Sequence, residues 1–221
     1  MTESANQKII AAISNYKHII WDWNGTLVDD VDVAVEAINV LLREHQLPLV
    51  TATTYRDIFS FPVKDYYEKL GFNFQKTSFE SLCDRFVQEY NVHRAGLASL
   101  FHGVPDLLKT IKESKTQSIL SAAAQWHLDE ITKHFEVHHL FHHRYGIDNH
   151  YASSKLERGK QLIAASNISE RDTILIGDTD HDFEVARELN ISCLLISDGH
   201  QSRKRLESLS SHVIEGRRQF L

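Results

Sequence analysis

Cysteine is scarce in this chain. Cys83 and Cys193 are its two, far apart and in no metal-ligand or redox spacing. They are expected to be ordinary buried or half-buried thiols in a reducing compartment. No apolar run approaches the length of a membrane span, so no membrane partner is expected. The N-terminus lacks a basic head followed by an apolar core, so no signal peptide is expected and the cytoplasm is the default location. An excess of positive charge is also missing. The 24 Lys and Arg face 30 Asp and Glu, for a net charge of −6 and an isoelectric point near 6.1. That balance argues against nucleic-acid binding driven by bulk charge, while leaving room for an anionic substrate held by a local cluster. There is no internal repeat and no low-complexity tract. At 221 residues the chain suits one large domain, or a core domain carrying a smaller insertion, as a monomer or homodimer.

What is present begins with His18-Ile19-Ile20-Trp21-Asp22-Trp23-Asn24-Gly25-Thr26-Leu27. An apolar, β-branched run ends on an acid and turns through Gly-Thr. A buried strand delivering a carboxylate to its C-terminal end has this pattern. In open α/β sheets, ligands bind at that edge.

The remainder alternates. Strands are expected at 117–121, 140–144, 173–178 and 191–196, with a short edge strand at 211–214. Helices are expected at 104–114, 124–135, 155–166, 180–189 and 201–208. Residues 1–16 read as an amphipathic helix with Ile9, Ile10 and Ile13 on one face. Alternating strands and helices imply a mostly parallel sheet with right-handed crossovers. Residues 30–98 break the alternation. Val31, Val35, Ile38, Leu41 and Leu42 have helical spacing, 63–70 and 78–93 follow suit, and no strand is evident. The expected organisation is an α/β core of residues 1–29 and 99–221, with an α-helical domain inserted at 30–98.

The strand-end residues suggest a chemistry. Asp22, Asp178 and Asp182 would repel one another if gathered at one sheet edge without a cation. Mg²⁺ takes such oxygen ligands, and an aspartate beside it is a competent nucleophile towards phosphorus. Ser121, at a strand end, with the backbone amides of Ala122 and Ala123 opening a helix, would bind an anion. Lys155 could neutralise both Asp22 and a bound phosphoryl group. Each residue also has a plainer reading: Asp182 as a helix-end acid, Ser121 as a cap, Lys155 as a surface charge. Lys160, the rival lysine, is expected to face solvent.

Together, Asp22-Trp23-Asn24-Gly25-Thr26-Leu27, Ser121, Lys155 and Gly177-Asp178-Thr179-Asp180-His181-Asp182 resemble the four motifs of the haloacid dehalogenase (HAD) superfamily, in order and rough spacing. The resemblance spans nearly the whole chain, and the helical insertion resembles the cap of the phosphoglycolate-phosphatase-like branch. It implies a Rossmann-like, mostly parallel sheet, Mg²⁺ and an aspartyl-enzyme intermediate, with a small phosphorylated metabolite as substrate. By that similarity Asp22 is the nucleophile. Asp22, Asp178 and the Asn24 carbonyl bind the metal, and Asp182 supports it directly or through water. Ser121 and Lys155 hold the phosphoryl group, and Thr26 fixes the loop.

Asn24 departs from the pattern. Phosphatases of the family carry an aspartate there as general acid and base. An amide can do neither, and such help is worth about 10²–10⁴-fold. Three explanations stand: a good leaving group, a proton from elsewhere such as His181 or a cap residue, or a different reaction. The phosphonatase branch gives the last a form, with Lys64 in the insertion as Schiff-base lysine. A catalytically weak phosphate-binding module is the alternative outside enzymology.

Other features have plainer expectations. The run His134, His138, His139, His142 and His143 completes no familiar ligand spacing and is expected as exposed imidazoles. Phe59, Phe61, Tyr66 and Tyr67 are expected to divide between a substrate pocket and the insertion's own core. Gly199-His200-Gln201 is expected as a turn near the site rim, and Arg203, Lys204 and Arg205 as a solvated helix start.

Overall fold

The computed structural model describes residues 4–147 and 155–216. Six strands form one parallel sheet: β1 (His18–Trp21), β4 (Thr116–Ala124), β5 (His143–Ile147), β6 (Thr173–Gly177), β7 (Ser192–Ile196) and β8 (Val213–Ile214). Their spatial order is β5-β4-β1-β6-β7-β8, so β1 is flanked on both sides. Its residues are fully buried, as the apolar run demands.

Period-two alternation distributes the strands over two cores. Ile19 and Trp21 of β1, Ile119 of β4, and Ile174 and Ile176 of β6 join one cluster. It includes Ile9 of α1 (Ala5–Ala12) and Leu107, Leu108 and Ile111 of α6 (Val104–Lys112). It also takes Leu128 of α7 (Gln125–His134). Ile20, Leu120 and Leu175 point the other way. There they meet Leu162 of α8 (Lys155–Ser166) and Val185 and Ala186 of α9 (Asp180–Glu188).

The break in alternation is a separate helical layer. Helices α2 (Val31–Glu44), α3 (Ala52–Ile58), α4 (Val63–Lys69) and α5 (Phe79–Leu97) follow one another. They pack round a cluster including Val31, Ile38, Leu41, Tyr55, Tyr66, Tyr67 and Leu82. α3 has no counterpart among the sequence expectations. Where the chain leaves and returns, β2 (Val28–Asp29) and β3 (Ser99–Leu100) pair antiparallel, a two-stranded ribbon the sequence reading also missed.

Three local expectations need correction. Ile9 and Ile13 are buried, but Ile10 is 41% exposed, and residues 1–3 of the expected first helix lie outside the described residues. The strand expected at 140–144 forms at 143–147, because the apolar Leu140 belongs to a 3₁₀ turn at His138–Leu140 and packs in the core from there. The helix expected from 201 is α10 (Arg203–Glu207). No described helix is long and apolar enough to cross a membrane.

Candidate active site

The site lies at the C-terminal ends of β1, β4 and β6. The Asp22 amide donates to the Ile176 carbonyl (2.8 Å), extending the sheet by one residue before the chain turns away. Gly25 makes the turn at φ +72°, and a Cβ there would stand 2.3 Å from Asp178 Oδ2 and 2.6 Å from the His200 ring. Glycine is therefore required twice, for the left-handed backbone and for the space. Thr26 Oγ1 donates to Asp178 Oδ1 (2.8 Å), and the His200 amide donates to Asp178 Oδ2 (2.6 Å).

Asp182 serves the helix and the site at once. Thr179 and Asp182 form the capping box of α9. Asp182 Oδ2 accepts from the amides of Asp178 and Thr179 and from Thr179 Oγ1, while Oδ1 accepts from Lys155 Nζ at 2.6 Å. Lys155 Nζ also donates to Asp22 Oδ1, at 2.5 Å. The ammonium thus sits buried between two carboxylates, whereas Lys160 is exposed and pairs with Glu157.

Carboxylate oxygens of Asp22, Asp178 and Asp182 lie within 4.8 Å of one another, all buried. Burial pushes Asp22 up to about 8; the Lys155 charge pulls it down, and Asp182 and Asp178 push it up further. Burial likewise raises Asp178 to about 6, opposed by His200 and reinforced by Asp182. Asp182 is held below its ordinary value: the Lys155 charge and the hydrogen bonds from Lys155 and Thr179 overcome its burial. Burial opposes the Lys155 charge, but its two carboxylate partners overcome that and keep it protonated. A buried, all-oxygen donor set with more negative charge than one ammonium balances fits a hard divalent cation such as Mg²⁺. Among the described residues this is the group of ligating side chains close enough to share an ion, and the histidines at 134–143 do not form another.

Ser121 lies at this edge, but its surroundings differ from expectation. β4 runs on to Ala124, its register against β5 shifts between Leu120 and Ala124, and α7 starts only at Gln125. Ala122 and Ala123 therefore belong to a bulged strand end and do not open a helix. The Ala123 amide donates to Ser121 Oγ (3.0 Å).

Asn24 meets partners the sequence reading did not name. Its Nδ2 donates to Asp30 Oδ2 (2.7 Å) and to Tyr90 Oη (2.9 Å). Asp30 Oδ1 accepts from the Gly25 amide (2.9 Å) and lies 3.3 Å from His200 Nε2. His200 Nδ1 bonds Tyr55 Oη at 2.9 Å. Burial disfavours the His200 charge, but Asp30, with Asp178 and Asp22, raises the imidazole to about 9. The expected turn at 199–201 is thus part of the site. Asp30 and Tyr90 carried little sequence signal. An aspartate before a helix looks like a cap, and Tyr90 lies 60 positions away.

The helical layer closes on this edge. The Phe61 ring stacks on His181 at 4.6 Å and 28°. Phe59 lies 5.6 Å from His200, while Tyr66 and Tyr67 are buried in the helical cluster. Gln201 Nε2 and Arg205 both donate to the Phe59 carbonyl, and both bond Asp180. Arg205 is therefore a half-buried tie and not a solvated helix residue, unlike exposed Arg203 and Lys204. Lys64 is exposed, with its ammonium 5.5 Å from the Phe74 ring centroid, within the helical layer.

Residues 19–196 match the family model of haloacid dehalogenase-like hydrolases. No curated protein matches the sequence. Among solved structures, a haloacid dehalogenase-like family hydrolase from Streptococcus pneumoniae superposes with a TM-score of 0.78 at 24% identity, over 91% of this chain and 94% of that one. A predicted phosphatase from Clostridium acetobutylicum gives 0.72 at 18%, again over 91% and 94%. Protein Tyrosine Kinase A from Mycobacterium tuberculosis gives 0.74 at 20%, over 93% and 95%, and at such identities the likeness is one of fold. The family model covers most of the chain and the fold agrees: this protein belongs to the haloacid dehalogenase-like hydrolases.

Proposed function

We propose that the protein is a Mg²⁺-dependent phosphatase that hydrolyses small phosphomonoesters through an aspartyl-phosphate on Asp22. The observation that carries this reading is the Lys155 ammonium between Asp22 and Asp182, with Asp178 beside them, where the sheet opens towards the helical layer.

Asp22, Asp178 and the Asn24 carbonyl would hold the ion, with Asp182 behind them. Three bonds already occupy Asp182 Oδ2, which suits a supporting role. The ion would offset the crowding of negative charge when a phosphate dianion enters. An Asp22 carboxylate oxygen then attacks phosphorus, and the bond from phosphorus to the ester oxygen breaks. Lys155 and Ser121 hold the non-bridging oxygens as their charge redistributes. Water next attacks the aspartyl-phosphate, releasing inorganic phosphate and restoring Asp22.

Residues 30–98 act as a cap in this reading, with Phe59 and Phe61 at the mouth excluding water while the ester reacts. Asn24 leaves the departing alkoxide without an acid at that position. The reading therefore favours leaving groups that depart readily, with His181 retained as the candidate donor for others. The exposed position of Lys64 over Phe74 does not favour a Schiff-base lysine.

A panel of phosphomonoesters assayed with Mg²⁺ and with EDTA tests the proposal. Phosphate release that requires Mg²⁺ is expected for at least one ester. Silence across the panel, or equal release in EDTA, would overturn it.

A further inference from the structure

Asp30 occupies the position before α2, where an aspartate ordinarily caps the helix, yet its side chain makes no cap bond. It turns inward and is 1% exposed. Oδ2 accepts from Asn24 Nδ2 (2.7 Å) and Tyr90 Oη (2.6 Å). Oδ1 accepts from the Gly25 amide (2.9 Å) and faces His200 Nε2 at 3.3 Å. A carboxylate with both oxygens so engaged has no free lone pair aimed at a substrate, so Asp30 is no replacement for the missing acid.

The bonds close a ring. Tyr90 gives its only hydroxyl proton to Asp30, so its oxygen accepts from Asn24. An ionised carboxylate only accepts, so the edge of Asn24 facing it must be the NH₂. Both contacts run through the Asn24 NH₂, and its side-chain oxygen is turned away from Asp30. Three segments meet here. Asn24 and Gly25 belong to the nucleophile loop, Tyr90 to α5, and His200 to the loop after β7, itself tied to Tyr55 on α3.

We infer that Asp30 is a positioning residue: it fixes the orientation of the Asn24 amide and, through Tyr90 and His200, ties the seating of the helical cap to the nucleophile loop. For its kinetic consequences this rests on the phosphatase reading above. An aspartate at 24 is then incompatible with the native Asp30, because it would set a half-buried carboxylate against the buried Asp30 at the 2.7 Å now spanned by a hydrogen bond. Asn24 and Asp30 form a pair, and the acid cannot be restored at 24 without changing 30.

The test is a double-mutant cycle of wild type, N24D, D30N and N24D/D30N, with Y90F alongside. Melting temperature and Mg²⁺-dependent release of phosphate from p-nitrophenyl phosphate are measured for each. N24D is expected to melt lower than wild type and to lose at least about tenfold in kcat/KM. Adding D30N to N24D is expected to recover at least about tenfold, although D30N alone lowers both readouts. Y90F is expected to lower kcat with KM within about twofold, because the phosphate-holding groups are untouched. An N24D protein as stable as wild type and equally or more active would overturn the inference. So would a D30N effect equal in both backgrounds, or a Y90F whose kcat matches wild type. If none of the five proteins releases phosphate, the phosphatase reading fails by itself. Non-additive melting temperatures then still uphold the pair, and additive ones still sink it.

Discussion

Lys155 Nζ lies 2.5 Å from Asp22 Oδ1, buried, with Asp182 as its second acceptor. Removing this ammonium leaves buried carboxylates facing one another. Lys155→Met is expected to cost about 3–5 kcal/mol of stability without Mg²⁺, the usual penalty for breaking a buried ion pair. Chemical denaturation measures it, and a loss below about 1 kcal/mol would mean that the lysine does not balance these acids.

Asp22 predicts the opposite sign. Its pKa is raised to about 8 from an ordinary 3.8, chiefly by burial. A raised carboxyl pKa means that the native state binds the proton more tightly than the unfolded state. Between those two pH values stability therefore falls as pH rises. Asp22→Asn removes the ionisation and is expected to stabilise the metal-free protein at neutral pH while abolishing turnover. Mg²⁺ at about 100 times its Kd should stabilise wild type by about 2.7 kcal/mol. Asp178→Asn should remove most of that gain. Thermal melts with and without Mg²⁺ check all three.

Asn24 predicts a dependence on leaving group. Without an acid at that position, aryl phosphates should turn over about 10²–10⁴-fold faster than alkyl phosphates of similar size. A plot of log kcat/KM against leaving-group pKa measures it, and a flat plot would point to a proton donor elsewhere.

His18 predicts an acid-sensitive core. Its Nε2 bonds Ser118 Oγ at 2.9 Å, and its Nδ1 has no hydrogen-bond partner among the described residues. Burial, then the charges of His143 and His142, lower its pKa from 6.5 to about 4. The unfolded chain takes up this proton below pH 6.5 and the native state does not. The contribution is intact above pH 6.5 and is lost as pH falls towards 4. From pH 7 to 5 wild type should lose about 2 kcal/mol more than His18→Gln. Denaturation of both proteins at the two pH values checks this.

Much of the site was legible because each motif is local. An apolar strand ending in an acid announces Asp22 and Asp178, and the i, i+3 capping box that holds Asp182 is written as Thr179-Asp180-His181-Asp182. Lys155 was placed by its helix start. The rest depends on chain segments that meet only in the folded molecule. Tyr55 and His200 lie 145 positions apart, and Asp30 resembles a helix cap until Gly25, Asn24 and Tyr90 claim both its oxygens. The segment after Ser121 was misread as opening a helix because nothing in Ser-Ala-Ala-Ala announces a strand bulge before α7. Arg205 looked solvated in a run of three basic residues, but the Phe59 carbonyl and Asp180 draw it inward.

The central claim is covalent catalysis by Asp22, and acid-quench trapping tests it most directly. The protein is mixed with Mg²⁺ and the best phosphomonoester of the panel, quenched in acid, digested, and its peptides mapped by mass spectrometry. The account predicts one hydroxylamine-sensitive phosphoryl group on the peptide carrying Asp22 in wild type, and neither that group nor turnover in Asp22→Asn. Undiminished turnover in Asp22→Asn would contradict it.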